Sequence, residues 1–145
     1  MRIVGTTGRD DIARAYLGEM RPGRYVEFCE SLEPPLPRSA KWVLIVSTMF
    51  GCPVRCLMCD AGGEYHGNLS SGEILCQIDF LTHKRFPDKR IGVKKFKVQF
   101  ARMGEPSLNR SVLEVLRELP GRYRAPGLIA SVSSVAPPLL ISTKG

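Results

Sequence analysis

The sequence predicts an α/β fold with parallel strands, and three observations carry that expectation. From residue 42 onward, short apolar runs alternate with amphipathic helical stripes in the order strand, helix, strand, helix, strand. Such alternation implies parallel strands joined by right-handed crossovers. The first run, Trp42-Val43-Leu44-Ile45-Val46, is apolar throughout, as in a strand buried on both faces. Three cysteines then crowd into the eight residues Cys52 to Cys59, just past that strand, where α/β folds keep their reactive sites. With 145 residues the chain allows one domain of ordinary size. It is too short for a complete α/β barrel of roughly 200–250 residues.

Taken in order, residues 10–20 read as a short helix, with Ile12, Ala13, Tyr16 and Leu17 on one face and Asp10 or Asp11 as its cap. Residues 24–31 alternate apolar and polar, as a half-buried strand does. Glu33-Pro34-Pro35-Leu36-Pro37 is too rich in proline for helix or central strand and reads as a linker. The expected organisation is therefore an N-terminal extension with linker over residues 1–38 and a core domain over 39–145. After the strand at 42–46 comes a loop from Thr48 to about Leu69. Ser70-Ser71-Gly72-Glu73 then gives a capping box, opening a helix with Ile74, Leu75, Ile78 and Leu81 that ends near His83. Phe96–Phe100 is the second strand. Asn109 caps a second helix carrying Val112, Val115, Leu116 and Leu119, which Pro120-Gly121 should stop. Leu128–Val132 is the third strand.

Composition narrows the function classes. No stretch approaches the roughly 18 apolar residues of a membrane span. Met1–Gly8 reaches charge too early for a secretory signal, so a cytoplasmic location with reduced thiols is expected. The formal charge of +7 suits a polyanionic partner such as RNA. Lys84, Arg85, Lys89, Arg90, Lys94, Lys95 and Lys97 are opposed only by Asp88. They read as a solvated loop or as an RNA-backbone patch, and the absence of interleaved aromatics weighs towards the loop.

The chemistry centres on Cys52-Pro53-Val54-Arg55-Cys56-Leu57-Met58-Cys59, three thiols at spacings x3 and x2. Soft thiolates select zinc, Cu(I) or iron–sulfur clusters. Zinc normally wants four protein ligands, and His66 is a candidate fourth. A [4Fe–4S] cluster held by three cysteines leaves one iron open. Gly104-Glu105-Pro106 follows the second strand and places an acceptor for a cation at a strand's C-terminal edge. Glu-Pro is also a common helix start.

The cysteine triplet resembles the cluster motif of the radical S-adenosylmethionine (radical SAM) enzymes, and Gly104-Glu105-Pro106 looks like the element that holds the methionyl amino group in them. Met103-Gly104-Glu105-Pro106-Ser107-Leu108-Asn109, Val46-Ser47-Thr48, Asn68–Ile74 and Ser131–Pro137 are similar to segments of the radical SAM adenine methyltransferases of ribosomal and transfer RNA. The resemblance covers about residues 42–137. It implies the N-terminal half of a radical SAM partial (β/α) barrel. It also implies a [4Fe–4S] cluster on Cys52, Cys56 and Cys59, and S-adenosylmethionine contacted by Gly104, Glu105, Ser131 (and Ser133) and Met58. The reaction implied is reductive cleavage of S-adenosylmethionine in RNA adenine methylation, with an electron donor such as a flavodoxin or ferredoxin.

The chain departs from the family at three places. Met58 stands where an aromatic residue is common. Ile45 occupies the first-strand position, seven residues before the triplet, where the family's methylation chemistry uses a cysteine. Cys29 and Cys76 match neither of the family's two further cysteines and read as structural. The chain is also expected to be truncated after its third strand, ending in Pro137–Gly145. No catalytic residue is assigned. The alternative reading is a non-catalytic iron–sulfur or zinc-binding fragment.

Overall fold

A computed structural model describes residues 1–62 and 64–137. Pro138–Gly145, the closing run of the sequence, lies outside the described residues. Six strands form one mixed sheet in chain order: β1 (Arg2–Arg9), β2 (Ala13–Arg21), β3 (Arg24–Ser31), β4 (Lys41–Val46), β5 (Lys95–Phe100) and β6 (Leu128–Val132). β1, β2 and β3 are an antiparallel meander, and β3 pairs antiparallel with β4. β4, β5 and β6 are parallel, as the alternation of elements predicts. Residues 1–31 therefore prolong the same sheet as residues 41–132.

The crossovers contain α1 (Ser71–Arg85) and α2 (Ser111–Arg122). Trp42, Leu44 and Val46 of β4 and Phe96, Val98 and Phe100 of β5 are buried in one cluster with Ile74, Ile78 and Leu81 of α1 and Val112, Val115 and Leu119 of α2. Both helices thus cover the same face, and about 25 cal/mol per Å² of apolar area removed from water holds them there. The capping box forms as expected: Ser70 Oγ accepts from the Glu73 N–H at 3.2 Å, and Glu73 accepts from the Ser70 N–H at 2.9 Å.

Three local expectations need correction. Residues 10–20 are not helix; they form the β1–β2 turn and most of β2. Tyr16 and Gly18 alternate onto the buried face, and a Cβ on Gly18 would come within 3.2 Å of the Phe28 ring. Neighbours on both sides supply the backbone bonds, so tertiary pairing overrides the local helical stripe. Pro120-Gly121 does not stop α2, which runs to Arg122. Arg122 pairs with Asp79 and Glu118, and Tyr123 donates to Asp79, so the last turn is tied to α1. Finally, β4 is fully buried on one face only; Lys41, Val43 and Ile45 remain partly exposed on the other.

On that second face the strand registers align one lateral row, Thr7, Ala15, Cys29, Ile45, Gln99 and Ser131. Cys29 and Ile45 are direct cross-strand partners.

Candidate functional site at the C-terminal strand edge

β4 ends at Val46, and the chain beyond it is pinned from several sides. The Ser47 N–H donates to Gln77 Oε1 at 2.9 Å, and the Ser47 carbonyl accepts from Gln77 Nε2 at 3.0 Å. Gln77 is fully buried on α1, a polar residue within the apolar stripe, positioned by its bonds to one residue's backbone. The Thr48 N–H donates to the Met103 carbonyl at 2.8 Å, and the Met103 N–H donates to Ser47 Oγ at 3.1 Å. The segment then pairs with its own return: Leu69 N–H to Thr48 O, Phe50 N–H to Gly67 O and His66 N–H to Phe50 O, at 2.8–3.0 Å. Asn109 clamps both legs, donating to the carbonyls of Thr48 (2.7 Å) and Leu69 (2.9 Å). Its Oδ1 accepts from the Ser111 N–H at 3.0 Å. The position before α2 is Arg110, which makes no side-chain cap bond; Asn109, one residue earlier, holds the helix's first amide and also closes the loop base.

The cysteine loop rises from this base. Gly51 has φ +73°, and a Cβ there would stand 1.6 Å from the Glu64 carbonyl, so only glycine fits the exit. Cys52 bridges to Gly62, and the Cys59 N–H donates to the Cys56 carbonyl at 3.0 Å. Cys52 and Cys56 are half-buried, and Cys59 is exposed.

Opposite the loop, Gly104 has φ +98°, and a Cβ on it would lie 2.6 Å from the Met49 side chain. Glu105 is 5% exposed and begins a 3-10 turn, Pro106–Leu108. Its carboxylate accepts from the Ser107 N–H at 3.0 Å and the Val135 N–H at 3.1 Å. Burial pushes its pKa up, but hydrogen bonds from Ser134, Ser107 and Val135 outweigh burial and hold the carboxyl below its ordinary value.

A cleft of about 290 Å³ lies between these two walls. Cys52, Cys56, Met58 and Cys59 line one side, and Gly104, Glu105, Ser133 and Ser134 the other. Met58 is 90% exposed at its mouth. Ser131 does not line the cleft; it sits opposite Gln99 in the sheet, whereas Ser133 accepts from Gln99 Nε2 at 3.2 Å. Arg102 also lines the cleft and pairs with Glu27 of β3 at 2.6 Å. His66, the candidate zinc ligand, lines a separate hollow with Tyr25 and Phe50. Among the described residues no group of three or more His, Cys, Asp or Glu side chains is close enough to hold a metal ion as it stands. The thiols rim the cleft without converging.

Sequence reasoning did not single out Gln77, Arg102 or Ser134. Gln77 carried a readable signal, a polar residue in register with Ile74, Ile78 and Leu81. Ser134 and Arg102 carried none, because their partners are distant in sequence.

No family model matches the chain. A radical SAM methyltransferase from Sphaerobacter thermophilus superposes with a TM-score of 0.71, covering 91% of this chain and 38% of that one at 20% identity. The chain thus has a fold shared with a radical SAM methyltransferase. Sequence gives the particular relationship. A probable dual-specificity RNA methyltransferase RlmN of Thermotoga sp. (strain RQ2) is 35% identical over 109 residues, which is 74% of this chain and 26% of the relative. The dual-specificity RNA methyltransferase RlmN of Buchnera aphidicola is 33% identical over 90 residues, 61% of this chain and 24% of the relative. The chain is thus homologous in sequence to the RlmN RNA methyltransferases, the relationship its motifs suggest, and spans about a quarter of the length of these relatives.

Proposed function

We propose that the chain binds a [4Fe–4S] cluster and S-adenosylmethionine, and cleaves the latter reductively as part of RNA adenine methylation. Residues 39–145 form the N-terminal half of a partial (β/α) barrel in this reading, with residues 1–38 as its extension. The supporting observation is the single cleft that gathers Cys52, Cys56 and Cys59 against Gly104 and Glu105. The donor set fits the cluster: three soft thiols on one loop, with His66 turned to another hollow. When bound, the cluster supplies the electron that splits the sulfonium of S-adenosylmethionine.

The chain's own residues do the rest. Cys52, Cys56 and Cys59 hold the cluster. Glu105 stays ionised, and a carboxylate has about four acceptor sites, so it can accept from the methionyl ammonium besides its backbone donors. Gly104 lets the backbone approach without a Cβ. Met58 packs on the adenine, and Ser133, which lines the cleft, carries the ligand's polar edge towards the sheet, while Ser131 stands behind it opposite Gln99 and does not reach the ligand. Ile45 has no thiol, so no methyl relay runs through that position. RNA is the substrate class, a flavodoxin or ferredoxin the electron donor, and the cytoplasm the location; no helix among the described residues is long and apolar enough to cross a membrane.

Formation of 5′-deoxyadenosine tests the reading. Anaerobically reconstituted protein, reduced in the presence of S-adenosylmethionine, should produce it, and Cys56→Ala should not. A fully loaded cluster that yields none would overturn the assignment.

A further inference from the structure

The cations of this chain are unevenly engaged. Among the described residues nine arginines and lysines, Arg21, Arg85, Arg102 and Arg122 included, sit in ion pairs with carboxylates. Lys89, Arg90, Lys94, Lys95 and Arg124 do not, among the described residues, and all five are exposed. The fold brings these five together from two loops. Arg90 and Arg124 form a β-bridge, with the Ile91 N–H donating to the Arg124 carbonyl (2.9 Å) and the Arg124 N–H to the Lys89 carbonyl (3.0 Å). Further along, Gly127 lies so close to Lys94 that a Cβ would stand 2.4 Å from the Lys94 carbonyl, and the Phe96 N–H donates to Gly127. The α1–β5 and α2–β6 loops therefore run side by side. The sole acid in the basic stretch, Asp88, accepts from the Arg90 backbone N–H. Sequence alone shows a basic loop; the structure adds a second loop and shows that none of the five cations sits in a close ion pair among the described residues.

We propose that these paired loops form a docking surface for the phosphate backbone of the RNA. The inference rests on RNA being the substrate class. The surface lies at the N-terminal end of β5, where Lys95 begins the strand, whereas the cysteine cleft lies beyond the C-terminal end at Phe100. Six residues of strand separate the two by roughly 20 Å. An RNA that engages both must bridge that distance. Phosphate contacts of this kind fix register and supply affinity without reading sequence.

The test measures the salt dependence of binding of a labelled RNA hairpin of about 30 nucleotides by the reconstituted full chain. Lys94→Gln/Arg124→Gln removes two charges from the surface. Arg110→Gln/Arg117→Gln removes two exposed, unpaired charges from α2 as a matched control. The surface pair should lower the slope of log K against log salt by about 1.8 and weaken binding roughly 30- to 60-fold near 0.1 M salt. The control pair should change neither. Equal effects of both pairs would reduce the surface to diffuse net charge, and no effect of either would remove it. 5′-Deoxyadenosine formation followed on the same samples separates the outcomes: normal formation with unchanged RNA binding sinks only the surface, and absent formation with weakened binding sinks only the proposed chemistry.

Discussion

Asn109 offers the sharpest test of how the site is built. It is 3% exposed and makes three hydrogen bonds, to the carbonyls of Thr48 and Leu69 and from the Ser111 N–H. Asn109→Ala removes all three. The Thr48 carbonyl keeps its bond from the Leu69 N–H, so two groups lose this partner outright, the Leu69 carbonyl and the first amide of α2. At about 1–2 kcal/mol for each such group the variant should lose about 3 kcal/mol. That is a large share of a typical stability of about 5–15 kcal/mol and corresponds to a melting temperature lower by roughly 10 °C. Because both legs of the cysteine loop lose their common clamp, iron loading should fall further than stability alone would require. Urea denaturation followed by circular dichroism gives the first quantity; iron and acid-labile sulfide per chain, measured well below the melting temperature, give the second. A loss under 1 kcal/mol with full iron loading would show that the loop base is held by backbone pairing alone.

Three further outcomes follow from the same geometry. Gly104→Ala forces a Cβ into the Met49 side chain and puts a side chain on a φ of +98°, so it should cost roughly 1–3 kcal/mol and abolish S-adenosylmethionine cleavage while leaving Cys76→Ala, a half-buried thiol remote from the cleft, unaffected in the same assay. Glu30 is 3% exposed; burial raises its pKa, but bonds from Arg85, Trp42 and Tyr16 outweigh burial and leave it below 4.5. A depressed folded pKa stabilises fully above the ordinary carboxylate range and is lost as pH falls through the folded value, so the urea midpoint should hold from neutral pH to about 5 and fall below about 4.5, with Glu30→Gln showing a shallower acid limb. Glu30→Ala, which leaves Arg85 without its buried partner, should cost about 3 kcal/mol at pH 7 by the same denaturation assay.

The parallel half of the sheet was readable because its signals are local. The apolar run at Trp42–Val46, the box at Ser70 and Glu73 and the stripe of Val112, Val115 and Leu119 each state their element within one turn or strand. The cysteine spacing likewise marked out the loop that rims the cleft. β2 was misread because Ile12, Ala13, Tyr16 and Leu17 satisfy a helical spacing, while the facts that decide against it are Gly18 under Phe28 and the pairing partners on either side. Residue types at Glu105 suggest a ligand contact, but its backbone donors at Val135 come from thirty positions later. Arg102 meets Glu27 across an even longer separation. Such pairings exist only once the sheet has formed, and no window of sequence contains them.

The change of strand direction between β3 and β4 has a consequence for how the chain reaches its structure. The strand pairings within the meander lie within Arg2–Ser31 and close through short turns, whereas Lys41 must find Lys95 across the whole cysteine loop and α1. Loop closure over that distance carries an entropic cost before any pairing offsets it. The meander should therefore order first and offer β3 as a template for β4 through Cys29–Ile45 and Ser31–Val43. In pulsed hydrogen exchange during refolding, amides of β2 and β3 should gain protection before those of β5 and β6. The cysteine loop would then close late, on an edge already built by its N-terminal neighbour.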